Sequence, residues 1–444
     1  MARVISEHFP GLAASQPEVL ARHCTAAAMP EAAVQYWENA ARLAISRSAQ
    51  VEASHHLDAA LAQLAALPAG LERDRIELRL LLLQAGQSIA LHGYGADQVG
   101  EAYQRAEALS RQCGDQRALL RVQFGLEGYL FMRGEFDRAH AVAADAAELV
   151  HKSADPMRRL QADWAVANLL FHQGLLPAAV DRMDSCLAAY ARLEQRPSQM
   201  QDPAIMCLSY SALAQWTRGL GDDALSRANQ AQALAVRLKH PFSQGEAYGL
   251  KAMLHCYRRE YLETLELAQR AIHVCETGGF SVWLAHAKIM HGWAVAHLGN
   301  AQAGSAEMAA GYTLWTSTGA VVTCAFYLAL QAEARALAGE PEEGLQLLQE
   351  AYAIVTRHGE RYFEPELCRL QGELLLHYQN KSKLINQDKA QHWFLLAISV
   401  AQELGMAAFE ARAAHSLATL WQSQGRLTEA QALLASANKV AMIS

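Results

Sequence analysis

A short helical hairpin recurs along this chain at a fixed interval of 40 residues, and no other feature constrains the fold as much. Tight turns are centred on Gly219, Arg259, Gly299 and Gly339. Small residues stand at three fixed positions around each turn: Ala212, Ala224, Ala231, Ala252, Thr264, Ala271, Gly292, Gly304, Gly311, Ala332, Gly344 and Ala351. Small side chains let two antiparallel helices approach closely, and a hairpin of this size must stack on its neighbours to bury its apolar face. The repeat therefore predicts an all-α, right-handed superhelical solenoid of about 20 helices.

The bulk composition favours the same class of structure. The chain has 444 residues, more than one compact core usually organises, and 52% of them are apolar with only 11 prolines. Alternating Val- and Ile-rich stretches, which are typical of strands, are nearly absent. The formal net charge is -7 and no Lys/Arg-rich run occurs, so the sequence gives no electrostatic footprint for a nucleic-acid partner.

Cysteine use and apolar run length indicate the compartment. The eight cysteines are scattered without CxxC pairs or a disulfide framework, and we find no signal peptide. The longest apolar stretch, residues 78–91, is interrupted by polar residues and is too short to span a bilayer. We therefore expect a cytoplasmic protein that does not engage a membrane.

The repeat can be followed through most of the chain. We predict helix pairs at 72–92/96–113, 116–132/136–152, 156–172/176–193, 203–218/222–238, 242–257/261–277, 282–297/301–317, 321–337/341–357, 361–378/388–404 and 407–423/427–441. Three regions follow: a helical junction or cap over residues 1–66, a first block of repeats over 67–195, and a second block over 196–444. The polar, proline-containing stretch 194–203 predicts a loop or hinge between the blocks, and 380–388 reads as a polar insertion in the eighth pair.

Segments at both ends resemble one known family. They are residues 16–23, 29–37 and 46–53 near the start, and 359–367, 372–376 and 410–418 near the end. These segments are similar to the C-terminal tetratricopeptide-like repeat region of bacterial adenylate/guanylate cyclase–ATPase fusion proteins, which belong to the signal-transduction ATPases with numerous domains. Such tails resemble the sensor domain of the maltose-regulon activator. The resemblance implies sensing of an effector or partner on behalf of an attached ATPase or cyclase module.

The catalytic parts of that family have no counterpart in these residues. No GxxxxGK[ST] motif occurs, and no strand-rich segment could carry a metal-binding aspartate pair. We therefore expect a chain that is not an enzyme, with no catalytic residue, cofactor or metal. Three functions stay open: a sensor and interaction domain, the C-terminal part of a signalling enzyme whose catalytic domains lie elsewhere, and an oligomerisation module.

Two local patterns could carry chemistry, and each has a simpler interpretation. The stretch 93–100 is rich in glycine like a nucleotide-binding loop, but its spacing is wrong and no strand precedes it, so we interpret it as an inter-helix turn. His255, Cys256, His273 and Cys275 occupy the two helices of one hairpin and could converge on zinc. Their spacing matches no zinc module, which favours ordinary packing.

Side chains on the first helix of each pair should line the concave surface of the solenoid. The candidates for a binding groove are Trp164, Asn168, His172, Trp216, Tyr257, His286, Trp293, His297 and Arg369. An aromatic-lined groove with a few polar groups suits a protein or peptide partner or a small effector ligand. The alternative is that Trp164, Trp216 and Trp293 simply pack between neighbouring repeats.

Overall fold

The computed structural model describes residues 15–47, 49–151, 155–193, 202–377 and 383–443. These residues form 21 helices and contain no strand. The helices are α1 (Pro17–Ala26), α2 (Pro30–Ser46), α3 (Gln50–Leu64), α4 (Leu71–His92), α5 (Asp97–Cys113), α6 (Gln116–Met132), α7 (Phe136–His151), α8 (Pro156–His172), α9 (Leu176–Tyr190), α10 (Pro203–Thr217), α11 (Gly221–Leu238), α12 (Pro241–Tyr257), α13 (Tyr261–Gly278), α14 (Ser281–His297), α15 (Ala301–Thr316), α16 (Cys324–Leu337), α17 (Pro341–His358), α18 (Glu364–His377), α19 (Lys383–Leu404), α20 (Ala407–Ser423) and α21 (Leu427–Ile443).

The helices are packed in consecutive pairs, so the predicted all-α solenoid of helix pairs is confirmed. Every predicted helix boundary lies within three residues of the observed one, with a single exception. The second helix of the eighth pair was expected at 388 but begins at Lys383. The error arose because a polar stretch was taken as an insertion, whereas Asn386 is buried within α19. Residues 380–382 of that predicted insertion lie outside the described residues.

Local sequence explains where the helices begin and end. Asp115 and Asp202 precede α6 and α10, and their carboxylates accept backbone N–H bonds from the first turn. Pro203 and Pro341 occupy first helical positions, where the missing N–H has no cost. The turn after α14 places Gly299 at a φ of 107°, a conformation that is strained for residues with a Cβ.

The small residues act as the repeat predicts. A Cβ on Gly304 would lie 2.3 Å from the carbonyl oxygen of Gly292, so α14 and α15 are in backbone contact at this point. Gly311 lies seven residues further along α15 and also faces the backbone of α14. A Cβ on Gly311 would lie 3.0 Å from the carbonyl oxygen of Ala285. The small size of these residues therefore allows α14 and α15 to approach closely.

The chain divides into two compact units. Unit 1 comprises Met1–Arg133, Asp137–Lys152 and Ser317–Ala320, and its N-terminal helices enclose a core around Trp37 and Leu57. Unit 2 comprises Gly134–Phe136, Ser153–Thr316 and Val321–Ser444. The predicted change of repeat block at 195/196 stays a prediction, as does the cap over 1–66. Residues 194–201 of the predicted loop lie outside the described residues.

Two helices of unit 2 follow connections that depart from the tight-turn pattern. Helices α16 and α18 each begin three residues later than predicted, at Cys324 and Glu364. The carboxylate of Glu360 accepts the backbone N–H of Thr323 at 2.8 and 3.0 Å, and Thr323 has a φ of 68°. The backbone N–H groups of Arg361 and Tyr362 both bond to the carbonyl oxygen of His172. These long-range bonds hold both connections out of helical conformation. No local sequence signal predicts such bonds.

Candidate functional site

Aromatic side chains from distant parts of the chain pack against one another in the interior of unit 2. Tyr362 and Phe363, in the connection between α17 and α18, are buried. The ring of Phe363 lies 5.6 Å from Tyr257 and 4.8 Å from Phe326, and Tyr362 lies 5.2 Å from Phe171. This part of the predicted aromatic surface is therefore an interior packed by residues from a distant connection.

Two histidines among the candidates form internal hydrogen bonds. His172 Nδ1 lies 2.8 Å from the Glu360 carboxylate, and both side chains are 2% exposed. His286 Nε2 lies 3.0 Å from the Gly249 carbonyl oxygen, and its Nδ1 lies 2.7 Å from the Tyr327 hydroxyl. Burial lowers the pKa of His286 from 6.5 to about 4. The His286 ring is therefore neutral at pH 7, with Nε2 donating and Nδ1 accepting.

The three candidate tryptophans differ in how far they are buried. Trp293 is fully buried, and its indole N–H donates to Glu333 at 2.9 Å. Trp216 is half-buried against the ring of Phe409, with the Arg412 guanidinium 4.8 Å from its ring centroid. Trp164 is half-buried beside Tyr210, and the neighbouring candidate Asn168 is buried. These contacts fit packing between repeats, and partner binding by the same residues stays a prediction.

A groove of about 1240 Å³ lies in the second half of unit 2. It is bordered by the turn after α12 and by residues of α13, α14, α16, α17, α18 and α20. Its lining includes charged, aromatic and histidine side chains together with aliphatic and small ones: Arg259, Tyr261, His297, Glu333, Leu337, Glu340, Glu342, Glu343, Arg369, Glu373, His377, Ala411, Arg412, His415 and Ser416. Of the predicted candidates, His297 and Arg369 line this groove.

The buried side of the groove, which we call the floor, is a network of three guanidiniums and three carboxylates. Arg259 donates to both oxygens of Glu333, at 2.6 and 2.9 Å, and to Glu366 at 3.1 Å. Arg369 donates twice to Glu366, at 2.9 and 3.0 Å, and once to Glu373 at 2.9 Å. These paired bonds fix the planes of both guanidiniums.

Arg412 is the third guanidinium of the floor. It pairs with the carboxylate of Glu366, whereas Arg259 and Arg369 each pair with two carboxylates. It donates to Glu366 at 3.2 Å and to the carbonyl oxygen of Tyr257, and it stacks on Trp216. Burial lowers the pKa of Arg412, with the charges of Arg259 and Arg369 acting in the same direction. A planar cation on an indole face gains cation–π energy that offsets part of its desolvation.

The buried carboxyls of the floor are ionised despite their burial. Burial by itself would raise the pKa of Glu366, but Arg369 and Arg412 lower it to about 2. Burial also opposes ionisation of Glu333, and the charge and hydrogen bonds of Arg259 hold its pKa well below the ordinary value. Each charge of the floor therefore depends on its neighbours.

Arg259 takes a position that glycine holds in the other central repeats. Its φ of 61° compares with 95° at Gly219, 107° at Gly299 and 85° at Gly339. A residue with a Cβ loses about 1–2 kcal/mol in this left-handed region. The guanidinium bonds to Glu333 and Glu366 provide the compensating interaction, which links an irregularity of the repeat to the floor of the groove.

The exposed side of the groove, which we call the rim, is rich in carboxylates. Glu342 and Glu343 lie in the first turn of α17 and are exposed, and Glu340 precedes that helix. Arg335 pairs with both Glu340, at 2.7 Å, and Glu343, at 3.2 Å. Sequence reasoning missed the rim because it counted positions only on the first helix of each pair. For the floor, a usable signal in the sequence was Arg259 in place of the repeating glycine.

The residues of the two local patterns singled out in the sequence lie in a turn and in packed helices. Residues Gly93–Ala96 form a turn between α4 and α5, and Asp97 is the first residue of α5. His255 Nδ1 lies 2.5 Å from the Glu260 carboxylate, and Cys256 and Cys275 are buried. Among the described residues, no group of three or more His, Cys, Asp or Glu side chains could hold a metal ion.

In the part of the chain that the structure describes, no helix combines the length and the apolar character needed to cross a bilayer.

Comparison with known proteins supports the fold. No protein-family model matches the chain. An uncharacterized protein of Rhizobium meliloti (strain 1021) is 25% identical over 419 residues, which cover 92% of this chain and 39% of that protein. The chain thus spans well under half the length of that relative.

Two solved structures illustrate the structural likeness. A Rap protein complexed with Competence and Sporulation Factor is similar with a TM-score of 0.57 at 14% identity, covering 84% of this chain and 98% of the Rap chain. A signal-transduction ATPase with numerous domains from Pyrococcus horikoshii, which carries a tetratricopeptide repeat sensor, has a TM-score of 0.42 at 13% identity. That match covers 82% of this chain and 52% of the other. The likeness to the Rap protein supports the tetratricopeptide-like repeat fold.

Proposed function

We propose that this chain is a non-catalytic sensor or scaffold module that binds a peptide or protein segment in the groove between α14 and α20. Binding would regulate a signalling ATPase or cyclase, attached to the chain or acting as its partner. The supporting observation is the groove itself, whose volume of about 1240 Å³ exceeds the ~300–1,000 Å³ of typical small-molecule pockets.

The floor of the groove supports binding rather than catalysis. Its guanidiniums are held in fixed planes by Glu333, Glu366 and Glu373, so little ordering would be needed when a ligand arrives. The ring of Tyr261 stacks on His297 at 4.7 Å and adds a flat aromatic wall. Rigid aromatic and guanidinium groups of this kind are typical anchors at binding surfaces.

The similar proteins are in keeping with this role. The Rap protein of the comparison was crystallised with Competence and Sporulation Factor, so its helical repeat fold accommodates a bound factor. The Rhizobium meliloti relative is far longer than this chain. A longer relative is compatible with a sensor module that works beside other domains, including the catalytic parts of a signalling enzyme.

The proposal can be tested by selecting peptides from a random phage-displayed library on the purified chain. Ala411 lines the groove, and Ala411→Trp would place a bulky side chain inside it. Ala310→Trp is the matched control, because Ala310 is an exposed residue of α15 outside the groove. We expect enriched peptides whose affinity falls at least tenfold with Ala411→Trp and less than twofold with Ala310→Trp. Failure to enrich peptides, or equal binding by both variants, would contradict the proposal.

A further inference from the structure

The charges of the groove are distributed unevenly between floor and rim. At the floor, the guanidiniums of Arg259, Arg369 and Arg412 face the three carboxylates of Glu333, Glu366 and Glu373. The positive charges of the floor are therefore already matched. A ligand that carries only negative charge would have to compete with carboxylates that are in place.

The rim has the opposite character. Glu340 and Glu343 share a single guanidinium, that of Arg335, at 2.7 and 3.2 Å. The entrance of the groove therefore carries negative charge beyond what the floor balances, and it attracts a cationic partner.

Apolar and aromatic surface accompanies this charge. Leu337 lines the groove and is 52% exposed, although it is a large aliphatic side chain. Tyr261 also lines the groove, with one face stacked on His297. An aromatic ring among carboxylates is a favourable environment for an ammonium or guanidinium group, and an exposed leucine favours an aliphatic contact.

We propose that the occupant of the groove is a positively charged segment of a partner protein, rich in Lys or Arg and containing at least one large aliphatic residue. This inference rests on the proposed function and specifies its partner. The basic side chains of the segment pair with Glu340 and Glu343 at the rim. Its aliphatic side chain covers Leu337, and the uncharged backbone lies toward the floor.

The test uses three fluorescently labelled 12-residue peptides with leucines at the same positions and Lys, Gln or Glu at all others. Their binding to the full chain is measured by fluorescence anisotropy at 50 and 300 mM salt. We expect the Lys peptide to bind at least tenfold more tightly than the Gln and Glu peptides. We also expect its affinity to fall at least threefold at the higher salt, because the rim charges are exposed and screened.

A pair of variants locates the binding. Glu340→Gln with Glu343→Gln removes two rim carboxylates, and we expect it to weaken the Lys peptide at least tenfold. Glu263→Gln with Glu266→Gln removes two exposed carboxylates of α13 outside the groove, and one of them pairs with an arginine as at the rim. This control should change affinity less than twofold. Circular dichroism of both variants checks that each keeps its helix content.

The outcomes separate this inference from the proposed function. Equal effects of the rim and control variants, or tighter binding of the Gln or Glu peptide, would overturn the basic-segment inference. Selected peptides that lose affinity with Ala411→Trp but carry no positive charge would overturn the basic-segment inference and leave the proposed function intact. Absence of any peptide that depends on the groove would overturn both.

Discussion

At the scale of single residues, the most informative turn is the one that has arginine where the others have glycine. Four turns recur at 40-residue intervals, and three of them have glycine in the left-handed conformation. Arg259 adopts the same conformation at a steric cost and uses its side chain to neutralise Glu333 and Glu366. The one turn of these four that lacks glycine thus lies at the floor of the groove.

Arg259→Gly should lower the free energy of unfolding despite relieving backbone strain. The glycine gains about 1–2 kcal/mol at the positive φ, whereas an unpaired buried Glu333 carboxylate loses about 3–5 kcal/mol. We expect a net loss of a few kcal/mol in urea denaturation. Adding Glu333→Gln should recover part of the loss because the uncompensated charge is then gone. A single variant as stable as the original chain would contradict this assignment.

Glu127 in α6 should make unit 1 sensitive to pH. Burial raises the pKa of its carboxyl from 4.5 to about 8. Between these values the folded state binds a proton that the unfolded state releases, so the contribution of Glu127 to stability falls as pH rises from 4.5 to 8. At pH 7 this amounts to about 3 kcal/mol.

Glu127→Gln removes the ionisable group while keeping its approximate size. We therefore expect the variant to be more stable than the original chain at pH 7 and 8, and nearly equal to it at pH 4.5. Urea denaturation at these three pH values measures the difference. A constant difference across the series would show that the carboxyl does not titrate in this way.

At the scale of helices, the distance between the two members of a pair depends on side-chain size. Gly292 and Gly304 bring the backbones of α14 and α15 into contact, and no Cβ fits between them. Other glycines, such as Gly86 in α4, face open space. The same residue type therefore has opposite consequences for stability, according to what it faces.

Gly304→Ala should separate α14 from α15 and destabilise the chain by roughly 1–3 kcal/mol, the usual cost of overpacking. Gly86→Ala is the matched control, and we expect it to stabilise by about 0.5–1 kcal/mol because alanine favours helix and meets nothing within 4 Å. Thermal unfolding of both variants checks the prediction. Equal shifts in melting temperature would contradict it.

At the scale of the whole molecule, unit 2 is more than a linear stack of repeats. Helix α20 contacts α10, although nine helices separate them along the chain. Phe409 in α20 lies 5.6 Å from Trp216 and 5.8 Å from Tyr257. A simple repeat array transmits stability only between neighbours, whereas this contact joins repeats that are distant in sequence.

Phe409→Ala should therefore reduce hydrogen-exchange protection in two separated places. We expect faster exchange in α20 and also at the ends of α10 and α12, with α15 unchanged. Leu417→Ala is the control, because Leu417 is buried on the same helix but packs with Phe394 of α19. Its effect should stay within α18 to α21. An effect of Phe409→Ala that is confined to the same helices would mean that the distant contact contributes nothing.

The sequence by itself determined the helical class, the pairing of helices and nearly all of their boundaries, because those depend on residues close together in the chain. Glycine at left-handed turns, proline at first helical positions and small residues between paired helices each act locally. Helix position alone also predicted His297 and Arg369 as groove residues; both line the groove of unit 2, and their role in binding stays a prediction.

Only the tertiary structure decided which part of the concave surface is open. His172 and Tyr257 contact Tyr362 and Phe363 in the connection between α17 and α18, more than 100 residues away. That connection fills the aromatic surface and leaves the charged groove beside it. Packing between residues so far apart depends on how the repeats curve around one another, which no periodicity in a single sequence specifies.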